Sequence, residues 1–228
     1  MLMVIKEFEI AFEKAKQITE ILAAKDKSSD FVALDDIISA VLQVSNYSEI
    51  TVNRRSFSQL KLPKDMKNSI IPTHGAMLST MTKSNPSTGK QEQVATLIIN
   101  SDYSANMQRF SVVHELGHLI TNIPNFTYEE IDDGRFTISA HVNADITYIP
   151  EEICVQNKYL IAEQVANIFA LLVLIPRNIR IQDIMNIGID KLTERYGVTE
   201  DAIYSRMLLS SVKFPNENKN VGAVANGC

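Results

Sequence analysis

Cysteine is scarce: the chain holds two in 228 residues, Cys154 and Cys228. Neither sits in a CxxC pair, so no disulfide framework is expected, and a reducing cytoplasm is the natural compartment. Long apolar runs are missing too. Only the first five residues are apolar before Lys6, Glu7 and Glu9, short of the roughly 7–15-residue core of a secretory signal. The run at 168–175 is too short to span a bilayer. Nor is there an excess of positive charge, since 22 Lys and Arg stand against 27 Asp and Glu, for a net charge of −5. That argues against the broad electropositive surface that non-specific nucleic-acid or anionic-membrane binding requires. Internal repeats and low-complexity tracts are absent as well.

What is present is enough apolar residue, 45% of the chain, to bury a sizeable core in one domain or two small ones. Ile5, Phe8, Phe12, Ala15, Ile18 and Leu22 recur at spacings of three and four, which predicts a first helix. A second is expected over 34–44. Ile50, Val52 and Phe57 then alternate with polar residues as in a half-buried strand. Two more strands are expected at 76–82 and 94–100, joined through Asn85-Pro86-Ser87-Thr88-Gly89, a cluster of turn formers. The pattern over 105–121 is helical, with Phe110, Val113, Gly117 and Ile120 on one face and His114 and His118 on the adjacent one. No period organises 123–150, which reads as a long loop with a short hairpin around Arg135 to Tyr148. A strongly apolar helix is expected over 158–175, ended by Pro176, which lacks a backbone donor. Beyond it, 192–212 reads as a helix, a turn at Gly197 and a helix N-capped by Thr199. The tail at 216–228 is small and polar.

Chemistry enters at His114-Glu115-Leu116-Gly117-His118, an H-E-x-x-H pattern. Residues four apart on a helix share a face about 6 Å apart along the axis, so two imidazoles can converge on one ion. Glu115 is offset by roughly 100° from His114. It is too near a metal to be idle and badly placed to be its third ligand, but well placed to take a proton from a metal-bound water. Two surface histidines on an ordinary helix would be the plain alternative, and the motif's position, in a helix after a strand, weighs against it.

A catalytic zinc commonly has three protein ligands and one open position, so a third donor must come from elsewhere. Glu163 is the candidate: a lone acidic residue on an apolar helix, costly to bury without a partner. A helix-end carboxylate reaching solvent is the ordinary reading of such a residue when no metal motif accompanies it. Asn167, one turn later, could hydrogen-bond a liganding histidine.

Gln108-Arg109-Phe110-Ser111-Val112-Val113-His114-Glu115-Leu116-Gly117-His118, followed by Glu163-Gln164-Val165-Ala166-Asn167-Ile168-Phe169-Ala170 and Leu174-Ile175-Pro176, resembles the ImmA/IrrE metallopeptidases. The strand at 95–100 and the helical segment at 192–198 look like that family's strand before the zinc helix and its C-terminal hairpin. The resemblance covers about 79–209. It implies a gluzincin-like core, zinc held by His114, His118 and Glu163, and cleavage of a partner repressor of mobile-element or stress-response genes. Two departures stand out: a longer stretch between His118 and Glu163 than the family leads one to expect, and Val165 where many relatives carry a second acidic residue.

The expected fold is therefore α+β. A small antiparallel or mixed sheet packs on the zinc helix and a second ligand-bearing helix, with helical segments at both chain ends. The expected divisions are an N-terminal helical segment at 1–46, a peptidase core at 47–178, a helical hairpin at 179–215 and a tail at 216–228. Substrate is expected to add as a strand along an edge formed by 94–100. His141, Tyr148 and Arg135 could stabilise an oxyanion, though each is more commonly an ordinary surface residue, and His74 reads as structural or solvated. Two other function classes remain. One is a non-proteolytic regulator with structural zinc that binds a transcription factor. The other is direct DNA binding through 192–212, against which Glu194, Glu200 and Asp201 and the core-like Ile203, Met207 and Leu208 argue.

Overall fold

The computed structural model describes residues 6–25, 30–56, 76–121, 137–138 and 158–211. In chain order they form α1 (Lys6–Ala24), α2 (Leu34–Val44), β1 (Tyr47–Arg55), β2 (Ala76–Ser84), β3 (Gln91–Asn100), α3 (Ala105–Thr121) and β4 (Thr137–Ile138). Four helices follow: α4 (Lys158–Leu174), α5 (Ile181–Ile187), α6 (Ile189–Tyr196) and α7 (Glu200–Ser211). The fold is α+β, with helical segments at both ends of a small mixed sheet.

The sheet has three long strands and the two-residue β4, in the order β1-β3-β2-β4. β1 runs parallel to β3, with Ile50 beside Ala95 and Val52 beside Leu97. β2 runs antiparallel to β3, with Leu78 beside Leu97 and Ala76 beside Ile99. The strand at 94–100 is therefore central and cannot be the edge to which a peptide adds. Its composition agrees with that place: Val94, Ala95, Leu97 and Ile99 are buried and Ile98 is half-buried, so both faces are apolar, as in interior strands. Sequence order alone conceals the neighbour that covers it, because β1 arrives from some forty residues upstream. The β2–β3 turn is closed by Asn85, whose Oδ1 accepts from the backbone N–H of Ser87 and Thr88 and whose Nδ2 donates to Glu92. Gly89 takes the positive φ of 67° that this turn needs.

α4 is the axial element. Nearly every residue from Ile161 to Ile175 is buried, because α3, α1 and α7 all pack on it. This accounts for its unbroken apolar sequence. α1 covers it with the stripe Ala11, Ala15, Ile18 and Leu22. α3 packs on β2 and β3, whereas α2 packs on β1.

The chain end closes as read from sequence, with one addition. α6 stops at Gly197, whose φ of 61° is left-handed, and a Cβ there would collide with the Phe31 ring. The α7 N-terminus is capped by Thr199, whose Oγ1 accepts from the Ala202 N–H. Leu192, Tyr196, Val198, Ala202, Ile203 and Leu209 are buried in the common core, so this segment spends its apolar face on packing. Leu208, read as a core contact, instead is 51% exposed, because it lies on the outer face of α7. α5 is not among the expected elements: it is seven residues long, too short for its period to stand out, and although none of its residues is fully buried, Ile184 and Ile187 pack against the core. Arg206 ties α7 to the end of α4, donating from Nε to the Ile175 carbonyl and from Nη2 to Asn178 Oδ1.

No described helix is long and apolar enough to cross a membrane. His74, Arg135, His141, Tyr148, the hairpin expected around them apart from β4, Phe57, both cysteines and the tail at 216–228 lie outside the described residues.

Candidate metal centre

α3 and α4 together place three donors at one point. On α3, every residue from Ser111 to Thr121 is buried, where a one-sided apolar stripe had been expected. The reason is its position between the sheet on one side and α1, α2 and α4 on the others. His114, Glu115 and His118 are therefore polar side chains inside the protein. On α4, Glu163 and Asn167 are buried likewise.

The approach of the two helices depends on Gly117. A Cβ at that position would sit 3.0 Å from Ala166 Cα and 3.1 Å from both the Ala166 carbonyl oxygen and Phe169 Cδ1, tighter than packed atoms tolerate. Gly117 lies between the two histidines in sequence, and Ala166 lies between Glu163 and Asn167. The bare backbone contact thus sets the gap across which the donors face one another.

His114 Nε2 is 3.3 Å from Glu163 Oε2, His118 Nε2 is 3.3 Å from Glu163 Oε1, and the two Nε2 atoms are 3.0 Å apart. Donors about 2.0–2.1 Å from one tetrahedral ion lie roughly 3.3 Å from each other, so this spacing suits a shared cation. Both Glu163 oxygens are buried with no hydrogen-bond partner, an arrangement that is costly unless a positive charge is shared with them. The His114 ring is fixed from behind, its Nδ1 lying 2.8 Å from Asn167 Oδ1. With an amide oxygen as acceptor, Nδ1 carries the proton and Nε2 is turned toward Glu163 and His118.

The electrostatics point the same way. Burial by itself penalises the imidazolium of His114, but the nearby carboxylates of Glu163 and Glu115 and the bond to Asn167 outweigh it, and the pKa is raised. Burial alone would raise Glu163, yet the two histidines together bring it down to about 2. Both shifts say that this pocket favours bound positive charge. The donor set, two imidazoles and one carboxylate, is the kind that suits a catalytic divalent metal, and His114, His118 and Glu163 form a buried group that could hold one.

Over residues 72–208, more than half of its length, the chain matches the family described as the IrrE N-terminal-like domain, a peptidase family. The chain belongs to this family. No curated protein matches it. Membership gives a metallopeptidase-like function and implies a protein substrate. The matched span takes in β2, β3, α3, α4 and most of α7, while α1, α2 and β1 precede it.

Set beside the sequence reading, His114, His118, Glu163 and Asn167 are brought together, and Glu115 lies buried on the same helix. Val165 is fully buried in the core, so an acidic residue at that position here would be an interior charge without a described cation beside it. Two contributors escaped notice. Gly117 was read as a face residue, although a glycine between two histidines is a signal of close helix approach. Arg109, which local pattern does not single out, is buried, stacks on Phe31 at 4.2 Å and donates to the Val32 carbonyl. Burial lowers its pKa to about 10.

Proposed function

We propose that this protein is a zinc-dependent endopeptidase in which His114, His118 and Glu163 hold the metal and Glu115 is the general base. The observation that carries this is the pair of Glu163 oxygens, buried without a hydrogen-bond partner and each 3.3 Å from an imidazole nitrogen of the H-E-x-x-H helix. A zinc ion held by these residues supplies a Lewis acid that polarises a peptide carbonyl and acidifies water.

The remaining work belongs to the side chains. Glu115, adjacent to His114 on α3, takes a proton from the attacking water on its carboxylate and returns it to the departing amine nitrogen. Asn167 holds the His114 ring so that Nε2 faces inward. Burial of the group by α1, α2, α4 and the sheet excludes bulk water from behind, which strengthens each charge interaction at the reacting centre. The substrate we assign is a cytoplasmic protein partner, a helix-turn-helix repressor of a mobile element or stress response, as family resemblance suggests.

The test is co-expression with the repressor encoded beside the gene, using the native chain and Glu115→Gln. Cleavage by the native chain and its loss in the variant, by a factor on the order of 10²–10⁴, with zinc retained at one per chain, is the expected outcome. Full biological output from Glu115→Gln would instead favour a regulator that binds a transcription factor without cutting it.

A further inference from the structure

Arg109 is the buried cation of the metal-ligand helix, 6% exposed. No carboxylate among the described residues offsets its charge, and its Nε has no hydrogen-bond partner there. A desolvated cation without a counter-charge is costly, and an apolar side chain of similar size would fill the space at less cost. What the guanidinium gains is two holds on the stretch between α1 and α2. It stacks over the Phe31 ring at 4.2 Å and donates from Nη2 to the Val32 carbonyl. A planar fork can stack and donate at once, which a lysine cannot.

That stretch is itself tied to the far end of the chain. Asp30 accepts from Arg195 Nε at 2.6 Å. A Cβ at Gly197 would meet both the Phe31 ring and, at 3.4 Å, Arg109 Cδ. Asn106, three residues before Arg109 on α3, donates to the Val198 carbonyl. α3 is therefore gripped near its start by the α1–α2 connection and by the α6–α7 turn. At about 100° per residue, Arg109 lies roughly 140° around the helix from His114 and about 180° from His118, so the grip is on the side away from the metal donors. Side-chain atoms about 5–6 Å from a helix axis move about 1 Å for each 10° of roll, whereas metal–ligand distances tolerate about 0.2 Å.

We propose that Arg109 is a positioning residue for the metal centre: by clamping Phe31 and Val32 to the back of α3 it fixes the roll of that helix, and so the direction in which His114 and His118 face Glu163. The inference rests on the metal reading of those three residues. It makes residues 30–33, which precede the span shared with the family, part of the geometry of the site.

The test uses the full chain with Zn²⁺ and with Co²⁺, whose visible absorption bands report ligand geometry. Arg109→Met removes both holds. Phe31→Leu removes only the stacking ring and decides the matter alone if Arg109→Met does not fold. Arg206→Met is the control, since it removes another buried arginine whose bonds run to Ile175 and Asn178 and not to α3. In Arg109→Met, zinc affinity should fall roughly tenfold, the lower end for groups that orient ligands, and the cobalt bands should shift. Phe31→Leu should shift them less and in the same direction, while Arg206→Met keeps the native bands even where it loses thermal stability. Native bands and zinc affinity in Phe31→Leu and in folded Arg109→Met overturn the proposal. An equal shift in Arg206→Met also overturns it, because the effect would then be one of general stability. A native chain that binds neither ion sinks the metal reading and this inference together, whereas a native chain that binds both, with unaltered variants, sinks the inference alone.

Discussion

The pair α3/α4 and the short helix α5 break opposite rules. In the first, polar side chains are buried: Glu163 is 4% exposed and Glu115 1%. In the second, apolar side chains face water: Met185 is 73% exposed and Ile181 66%. The two violations differ in cost. A buried carboxylate without a compensating charge costs several kcal/mol on the scale of about 2–7 for a neutral polar group, whereas an isolated exposed apolar side chain is common on folded proteins. Only the expensive violation needs a function to explain it, and here that function is the donor group at the α3–α4 contact.

The comparison is tested hardest at Glu163. In Glu163→Gln a neutral amide replaces the carboxylate between the two imidazoles, and zinc affinity should fall by more than the roughly 10–100-fold typical of an outer-shell change. Competition with a chromophoric chelator reads this directly. A variant that keeps native affinity would show that the buried carboxylate has another purpose. Next comes Asn167→Ala, which removes the acceptor 2.8 Å from His114 Nδ1. Here the affinity loss should lie within about 10–100-fold, and Asn167→Asp should recover most of it. Failure of the aspartate to do so would argue that Asn167 packs without orienting the ring.

How much of this could be read beforehand follows the same division. The H-E-x-x-H spacing, the isolated Glu163 and Asn167 one turn on were visible because each is a polar residue in an apolar setting, and local periodicity displays that contrast. The central place of β3 was hidden, since it depends on β1 pairing across forty residues of chain, and local pattern carries no register between distant strands. The complete burial of α3 was hidden for a related reason. Periodicity shows apolar residues on one face of the helix, and only the packing of α1, α2 and α4 around the others reveals that they too lie in the interior. α5 is hard to read because its seven residues span only two turns, too few for the spacing of Ile181, Ile184 and Met185 to stand out.

Gly117 links the two helices and should give the third effect. In Gly117→Ala the new methyl meets backbone atoms of Ala166 at 3.0–3.1 Å, which cannot rotate away as a side chain would. The helices must separate by a few tenths of an ångström, at a stability cost of about 1–3 kcal/mol by analogy with overpacked cores. Zinc affinity should drop as well, by about tenfold or less, because the donors separate with their helices; the metal-linked shift in Tm reads both effects. A variant that loses stability yet keeps its metal affinity would detach the glycine from the site.

The smallest effect is expected on the exposed pair. Met185→Ser changes a side chain that is 73% exposed on a helix that buries none of its residues, so unfolding free energy should move by no more than about 0.5 kcal/mol. Zinc affinity and cleavage should be unchanged, since α5 supplies no donor and nothing to the α3–α4 contact. Denaturant unfolding and the chelator competition already described measure both. A loss of cleavage with stability and zinc intact would give the exposed methionine a role in holding the protein substrate. It would also place a functional demand on the α5 surface, and the contrast between costly and cheap violations would no longer separate the working part of the molecule from the rest.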